Sequence, residues 1–280
     1  MKVFPFKIPK PKDDVLIYQE DKGLSFYDKL HQHEEIQLSY IFEGHGTLIV
    51  GNTINTYTSG DLIVIGGNLP HVFKSDISTG KHSHMLSLFF KKDSFGTGFF
   101  DLNEFRILNP FFKRMRHGFK ISSNTSEIKE QFLKLKNTKK LERFIILLQV
   151  TKAAATKKHQ TLSSFIYEKN YSIADGTRIQ VVYDYTIKNF KNHISLEYIS
   201  EVANMTKTAF CKYFKKRTNK TYFEFLNELR VAHACKLLRE DVDKSVADIA
   251  FDSGYNNMAN FNRQFRLIKN VTPTEYKNLA

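Results

Sequence analysis

Residues 36–42 alternate with a period of two, Ile36, Leu38, Tyr40 and Phe42 standing against more polar neighbours in "EIQLSYIF". That period predicts a half-buried strand with one face turned to a core. "GTLIVGNTINTYTSGDLIVIGGNLPHVF" (46–73) continues in short β-rich runs, punctuated by Gly and Asn turns. "HSHMLSLFF" (82–90) reads as one more strand. Several short strands between about 15 and 95 predict a small β-sandwich or barrel.

The period changes near Asn109. Between Ser126 and Thr156 the apolar residues recur at helical spacing: Ile128, Phe132 and Leu135, then Leu141, Phe144, Ile145 and Leu148. Two helices are predicted, broken around "KNTKK". The second apolar stripe is wider than a small domain needs, so it either packs on the β-domain or forms a dimer seam. "SSFIYEKNYSIADGT" (163–177) has no clean period and reads as a linker.

Beyond the linker the pattern is helical, with no proline before Pro273, and one arrangement occurs twice. In the first copy Leu196, Ile199, Val202 and Ala203 mark a short helix capped by Ser195. A brief "NMT" turn follows, then a helix from Thr206 to about Thr218. Phe210 and Phe214 point inward; Lys207, Thr208, Cys211, Lys212, Lys215 and Lys216 are left outside. In the second copy Ser245 and Asp248 have capping-box spacing ahead of Val246, Ile249 and Ala250. Gly254 turns the chain, and Asn257 caps a helix from Met258 to about Ile268. Phe261, Phe265 and Ile268 face inward there, while Ala259, Asn262, Arg263 and Arg266 face outward. Thr272, Pro273 and Glu275 open a last helix. Between the copies, Tyr222–Arg239 reads as one rod burying Phe225, Leu226, Leu229 and Leu237. Such a rod can hold both second helices toward successive major grooves of B-DNA, about 34 Å apart. The pattern alone also fits a plain helical bundle with a solvated polar face.

Charge favours a polyanionic partner without locating it. The net formal charge over 280 residues is +13. Residues 177–280 hold 17 Lys and Arg against 11 Asp and Glu, whereas residues 106–158 alone hold 14 against 3. The two cysteines, Cys211 and Cys235, lack CxxC spacing, so neither a disulfide framework nor a structural zinc is expected. No signal peptide is apparent in "MKVFPFKIPKPKDD", and no apolar run reaches the roughly 18 residues that span a membrane. The expectation is a cytoplasmic protein without membrane contact.

"SVADIAFDSGYNNMANFNRQFRLIKNVTPTEYK" resembles the signature of AraC/XylS-type transcriptional regulators. The matching positions are Ile249, Ala250, Gly254, Tyr255, Phe261, Arg263, Phe265, Arg266, Thr272, Pro273, Tyr276 and Lys277. Asn270 departs from the family's usual Gly but tolerates the same backbone. "ISEVANMTKTAFCKYFKKRTNKTYFEFLNELRVAHACKLL" resembles the first unit, so the likeness covers about 100 residues. It implies sequence-specific binding of double-stranded DNA and an activator's contact with RNA polymerase. The first recognition helix would present Lys207, Thr208, Cys211, Lys212, Lys215 and Lys216. The second would present Asn257, Met258, Ala259, Asn262, Arg263 and Arg266.

The N-terminal half is similar to a cupin-type sensor domain. His31, His33, Gln37 and Gly44 match part of the first cupin motif, and Gly60 and His71 part of the second, with "GGNLPH" replacing the usual Pro-x-Gly-x-x-His. Gln37 stands where the family carries Glu, so the anionic metal ligand is missing. His31, His33, Gln37 and His71 are therefore candidates for an effector pocket or a degenerate metal site, with no metal, cofactor or catalytic residue expected. His45, His82 and His84 read as surface or turn residues.

The expected fold is α+β in two domains. Residues 1–162 form a cupin-like β-barrel or sandwich with helices, which binds a small-molecule effector or makes a homodimer. Residues 163–177 link it to an all-α domain, 178–280, with two helix-turn-helix motifs. A regulator would bind duplex DNA with strong salt dependence. A cupin enzyme would instead carry stoichiometric metal, and an architectural binder would bend DNA with little sequence preference.

Overall fold

The computed structural model describes residues 14–77, 80, 82–165, 173–241 and 243–279. The chain divides into two compact units, Met1–Ile173 and Ala174–Ala280.

Among the described residues the first unit has nine strands: β1 (Leu16–Gly23), β2 (Ile36–Glu43), β3 (Gly46–Val50), β4 (Thr53–Tyr57), β5 (Leu62–Ile65), β6 (His71–Ser75), β7 (Ser83–Phe90), β8 (Phe119–Ile121) and β9 (Gln160–Thr161). They form two sheets, one of six strands in the order β1-β7-β2-β5-β8-β9 and one of three, β4-β3-β6. Of the two expected forms, barrel or sandwich, no closed barrel forms among the described residues. Helices α1 (Asn109–Met115), α2 (Ser126–Lys134) and α3 (Lys140–Thr156) complete the unit.

The six-stranded sheet is covered on both faces. Leu38, Tyr40, Leu62, Val64, Leu86 and Leu88 meet Phe111 of α1, Ile128 and Phe132 of α2, and Ile146 and Val150 of α3. Ile41, Ile63, Ile65 and Met85 meet Leu48, Val50, Tyr57 and Phe73 of the smaller sheet. Residues 36–41 of β2 are consequently buried without interruption. The alternation in this strand separates an apolar face from a partly polar one, and both are inside. Gln37 and Ser39 are thus interior polar groups rather than a solvated edge. The packing reading of α3 accounts for Ile146, Leu147, Val150 and Ala154, while Leu141 and Ile145 remain 65% and 46% exposed. Strands β8 and β9, of three and two residues, flank the region read as helical. They are too short to show a period.

Of the segment expected to link the domains, Ser163 and Ser164 are held to Asn52 of the β3–β4 turn, and residues 166–172 lie outside the described residues. Helix α4 (Ile173–Asn189) follows.

The second unit continues with α5 (Leu196–Val202), α6 (Lys207–Thr218), α7 (Tyr222–Glu240), α8 (Val246–Asp252), α9 (Met258–Lys269) and α10 (Pro273–Leu279). Its punctuation is duplicated. Ser195 and Ser245 cap α5 and α8 by accepting from Tyr198 N–H and Asp248 N–H. Asn204 and Gly254, both at positive φ, make the turns. Thr206 and Asn257 cap α6 and α9, and Asn219 and Asn270 end them in the left-handed conformation. Thr221 with Glu224, and Thr272 with Glu275, form reciprocal capping boxes that open α7 and α10. Polar caps thus fix where each helix starts, and the apolar stripes fix how it packs. Phe210 and Phe214 are fully buried against α7 through Tyr222 and Phe225. Phe261 and Phe265 sit in a second cluster with Val231, Ala234, Cys235 and Leu238 from the other half of α7. Leu237, expected in the core, is only partly buried; the helix phase puts Leu238 there instead. Both cysteines are free, Cys211 exposed and Cys235 buried.

Candidate nucleic-acid interface and histidine cluster

Burying two phenylalanines one turn apart on α6 and on α9 turns the opposite face of each helix outward. On α6 the exposed face carries Thr208, Cys211, Lys212, Lys215 and Lys216. Lys207 is exposed too, but its Nζ lies 2.6 Å from Glu197 Oε1 of α5, which offsets its charge. On α9 the exposed face carries Ala259, Asn262, Arg263 and Arg266. Arg263 Nη2 donates to Asn260 Oδ1 at 3.1 Å, which aims the guanidinium without neutralising it. Asn257 and Met258 stand apart from the other four. The Asn257 side chain accepts from Asn260 N–H as the helix cap, and Met258 is partly buried against the second core cluster. The arrangement offers two helix faces rich in amide, hydroxyl and cationic groups. Those are the chemistries that meet base edges and phosphates.

Sequence reading passed over the groups that hold these helices. His233 of α7 contacts Ser253 Oγ through Nδ1 at 3.2 Å, and its ring lies 5.1 Å from that of Phe190. Burial, with Lys191, Lys236 and Lys244 nearby and only Asp252 opposing them, lowers its pKa to about 4. The imidazole is therefore neutral in the folded unit at neutral pH. An unfolded histidine takes its proton near pH 6.5. Between these values the unfolded chain binds a proton that the fold refuses, so stability declines as pH falls from about 6.5 toward about 4. Urea unfolding at about pH 7.5 and about pH 5 should show the lower midpoint at acid pH, and His233→Gln should reduce the difference. An unchanged difference would assign the effect elsewhere.

In the first unit His31, His33, Gln37 and His71 come together, all buried. One nitrogen of each imidazole lies within 4.8 Å of the others. Each Nδ1 faces a backbone carbonyl, of Lys29, Glu35 and Leu69 respectively, at 2.8 to 2.9 Å. Gln37 Oε1 is 3.2 Å from His33 Nε2 and 3.1 Å from His71 Nε2, while its amide nitrogen donates to Ser39 Oγ. Ser39 pairs in turn with Ser87 at 2.6 Å. Ser39 shares a strand face with Gln37, so the period of two could have placed it here; Ser87 had no such signal. Burial holds all three imidazoles below their usual pKa, His31 to about 4. A neutral ring has one N–H, so neither His33 nor His71 can donate to both its carbonyl and Gln37 Oε1. Among the described residues His31, His33 and His71 form the group that could hold a metal, with Gln37 beside them. Three imidazoles and an amide are suitable donors but bring no charge, so a divalent ion would stay unneutralised in a dry core. His45 and His84 face Asp76 and Glu20 instead, and His82 is exposed.

Residues 199–278 match a family model described as a helix-turn-helix domain. An uncharacterized HTH-type transcriptional regulator of Staphylococcus aureus (strain COL) is 31% identical over 111 residues, 40% of this chain and 15% of the relative. The HTH-type transcriptional regulator YdeC of Bacillus subtilis (strain 168) is 26% identical over 91 residues, 32% of this chain and 31% of the relative. The matched stretches thus span under a third of either relative. A solved transcriptional regulator from Chromobacterium violaceum, described by its AraC-type DNA-binding domain, aligns with 36% of this chain and 90% of its own at 20% identity and a TM-score of 0.34. The family match falls on the residues whose turns and buried phenylalanines are duplicated: residues 199–278 form a helix-turn-helix domain.

Proposed function

We propose that the chain is a sequence-specific, double-stranded-DNA-binding transcriptional regulator acting in the cytoplasm. One observation carries this reading: α6 and α9 each bury a phenylalanine pair against the common rod α7 and leave a polar, cation-bearing face exposed. Lys212, Lys215 and Lys216 meet phosphates, which position the protein; Asn262, Arg263 and Arg266 meet base edges or the adjacent backbone. Thr208 and Cys211 are small enough to let α6 approach its groove. The first unit, in this reading, is a cupin-like half that senses a small molecule or makes a homodimer, with the histidine cluster as its polar site and without a catalytic role. Exposed Leu141 and Ile145 on α3 support the dimer reading. Activation through contact with RNA polymerase belongs to the same proposal by family likeness alone.

Duplex affinity measured across a salt series tests the DNA reading. Binding should weaken steeply between about 50 and 200 mM salt, because each neutralised phosphate adds about 0.9 to the logarithmic slope. Lys215→Ala should reduce that slope by about one unit and weaken cognate and scrambled duplexes alike. Affinity indifferent to salt would remove the proposal.

A further inference from the structure

The two helix-turn-helix modules are tied together at a second place besides α7. Arg230 sits midway along α7, between the half that holds α6 through Tyr222 and Phe225 and the half that holds α9 through Val231, Ala234 and Leu238. Its side chain leaves the rod. Nε donates to Phe190 O at 2.7 Å and Nη2 to Asn192 O at 2.9 Å, both in the loop that leads into α5. The same guanidinium lies 5.6 Å from the centre of the Tyr255 ring, in the turn that leads into α9. That turn and that loop touch. A Cβ added at Gly254 would stand 2.7 Å from Phe190 O, 2.9 Å from Arg230 Nε and 2.9 Å from Lys191 Cα. Gly254 has φ +87, so the glycine answers both a backbone conformation and a close approach. Asn204, the corresponding turn residue of the first module, keeps a side chain at the same backbone sign.

We propose that Arg230 is a positioning residue for DNA recognition: by clamping the α4–α5 loop against the α8–α9 turn it fixes the offset between α6 and α9, and with it the spacing of the two half-sites that one chain reads. The inference rests on the proposed DNA reading. The physical argument is one of attachment. A single rod leaves each module free to rock about its own apolar contacts, whereas a second attachment off the rod's axis removes that freedom. A planar guanidinium meets the two carbonyls from two nitrogens held in one rigid plane, a geometry that the single nitrogen of a lysine on its flexible stem does not fix. Fixing the geometry makes the second groove contact effectively intramolecular and confines it to one spacing.

The full chain, presented with a random-sequence duplex library, gives the test. The wild type should enrich two half-sites at one separation. Arg230→Ala, and independently Gly254→Ala, should enrich the same half-sites over a spread of separations. On the wild-type duplex these variants should lose about tenfold in affinity, while on a duplex with one half-site they should stay within about threefold. Arg230→Lys should fall between. Thermal melts identify the variants that fold, and those carry the comparison. Folded variants that keep the single spacing and the full affinity overturn the clamp. Enrichment of only one half-site by the wild type overturns the clamp and leaves DNA reading standing. Enrichment of no sequence by the wild type overturns the DNA reading, and the clamp with it.

Discussion

Phe261→Ala should lower the stability of the helical unit by about 3–5 kcal/mol, the usual cost of emptying a buried aromatic site. Phe261 is fully buried, with its ring 5.2 Å from Tyr255 and 5.6 Å from Phe265, and Phe265 continues the contact to Tyr276. The gap would open between the rings of Tyr255 and Phe265, which tie the α8–α9 turn to α10 through Tyr276. Total stability for a domain is about 5–15 kcal/mol, so this loss is a large fraction of it. At roughly 4–8 °C per kcal/mol for a unit of about this size, the melting midpoint should drop by more than about 10 °C. The neighbouring exposed residue supplies the control. Asn262→Ala removes an exposed side chain and should change stability by no more than about 0.5 kcal/mol. Calorimetry on the two variants separates core from reading face at adjacent positions. Equal midpoints for both would mean that α9 does not pack as described.

Arg263→Ala should have the converse phenotype, with normal melting and impaired recognition. Arg263 projects from the middle of α9 one turn beyond Ala259, whose small side chain permits a close approach to the groove. Its guanidinium is exposed and held by Asn260 in a geometry that leaves donors free. Two parallel hydrogen bonds to a guanine edge are worth about 1–3 kcal/mol of discrimination, about 5- to 150-fold in affinity. The loss should fall on the cognate duplex more than on a scrambled one. Lys215 and Lys216, near the end of α6, should weaken both duplexes equally when removed. Equal losses on both duplexes for Arg263→Ala would place this helix on the backbone.

The helical unit was far more legible in sequence than the β unit, for a physical reason. Caps and apolar stripes leave local marks: Ser245, Asn257 and Thr272 cap backbone groups within a few residues, and Phe261 and Phe265 repeat one turn apart. Arg230 escaped because its partners lie about 40 positions away in the chain and are backbone carbonyls, which no residue type advertises. In the β unit the alternation of β2 gave the strand but not its surroundings. A strand covered by helices on one side and a sheet on the other looks half polar only because Gln37 and Ser39 serve an interior network. The histidines were found through motif resemblance; their anchoring on three backbone carbonyls depends on strand ends that sequence does not fix. Strands β8 and β9 carry no period to read.

Footprinting on a duplex enriched by the wild-type chain tests the central claim most directly. Protection should appear in two successive major grooves on one face of the DNA, one helical turn apart. Exposed-face substitutions in α6 and in α9 should each erase one of the two patches. Protection that is uniform along the duplex and unchanged by Arg263→Ala or by substitutions in α6 would contradict the account.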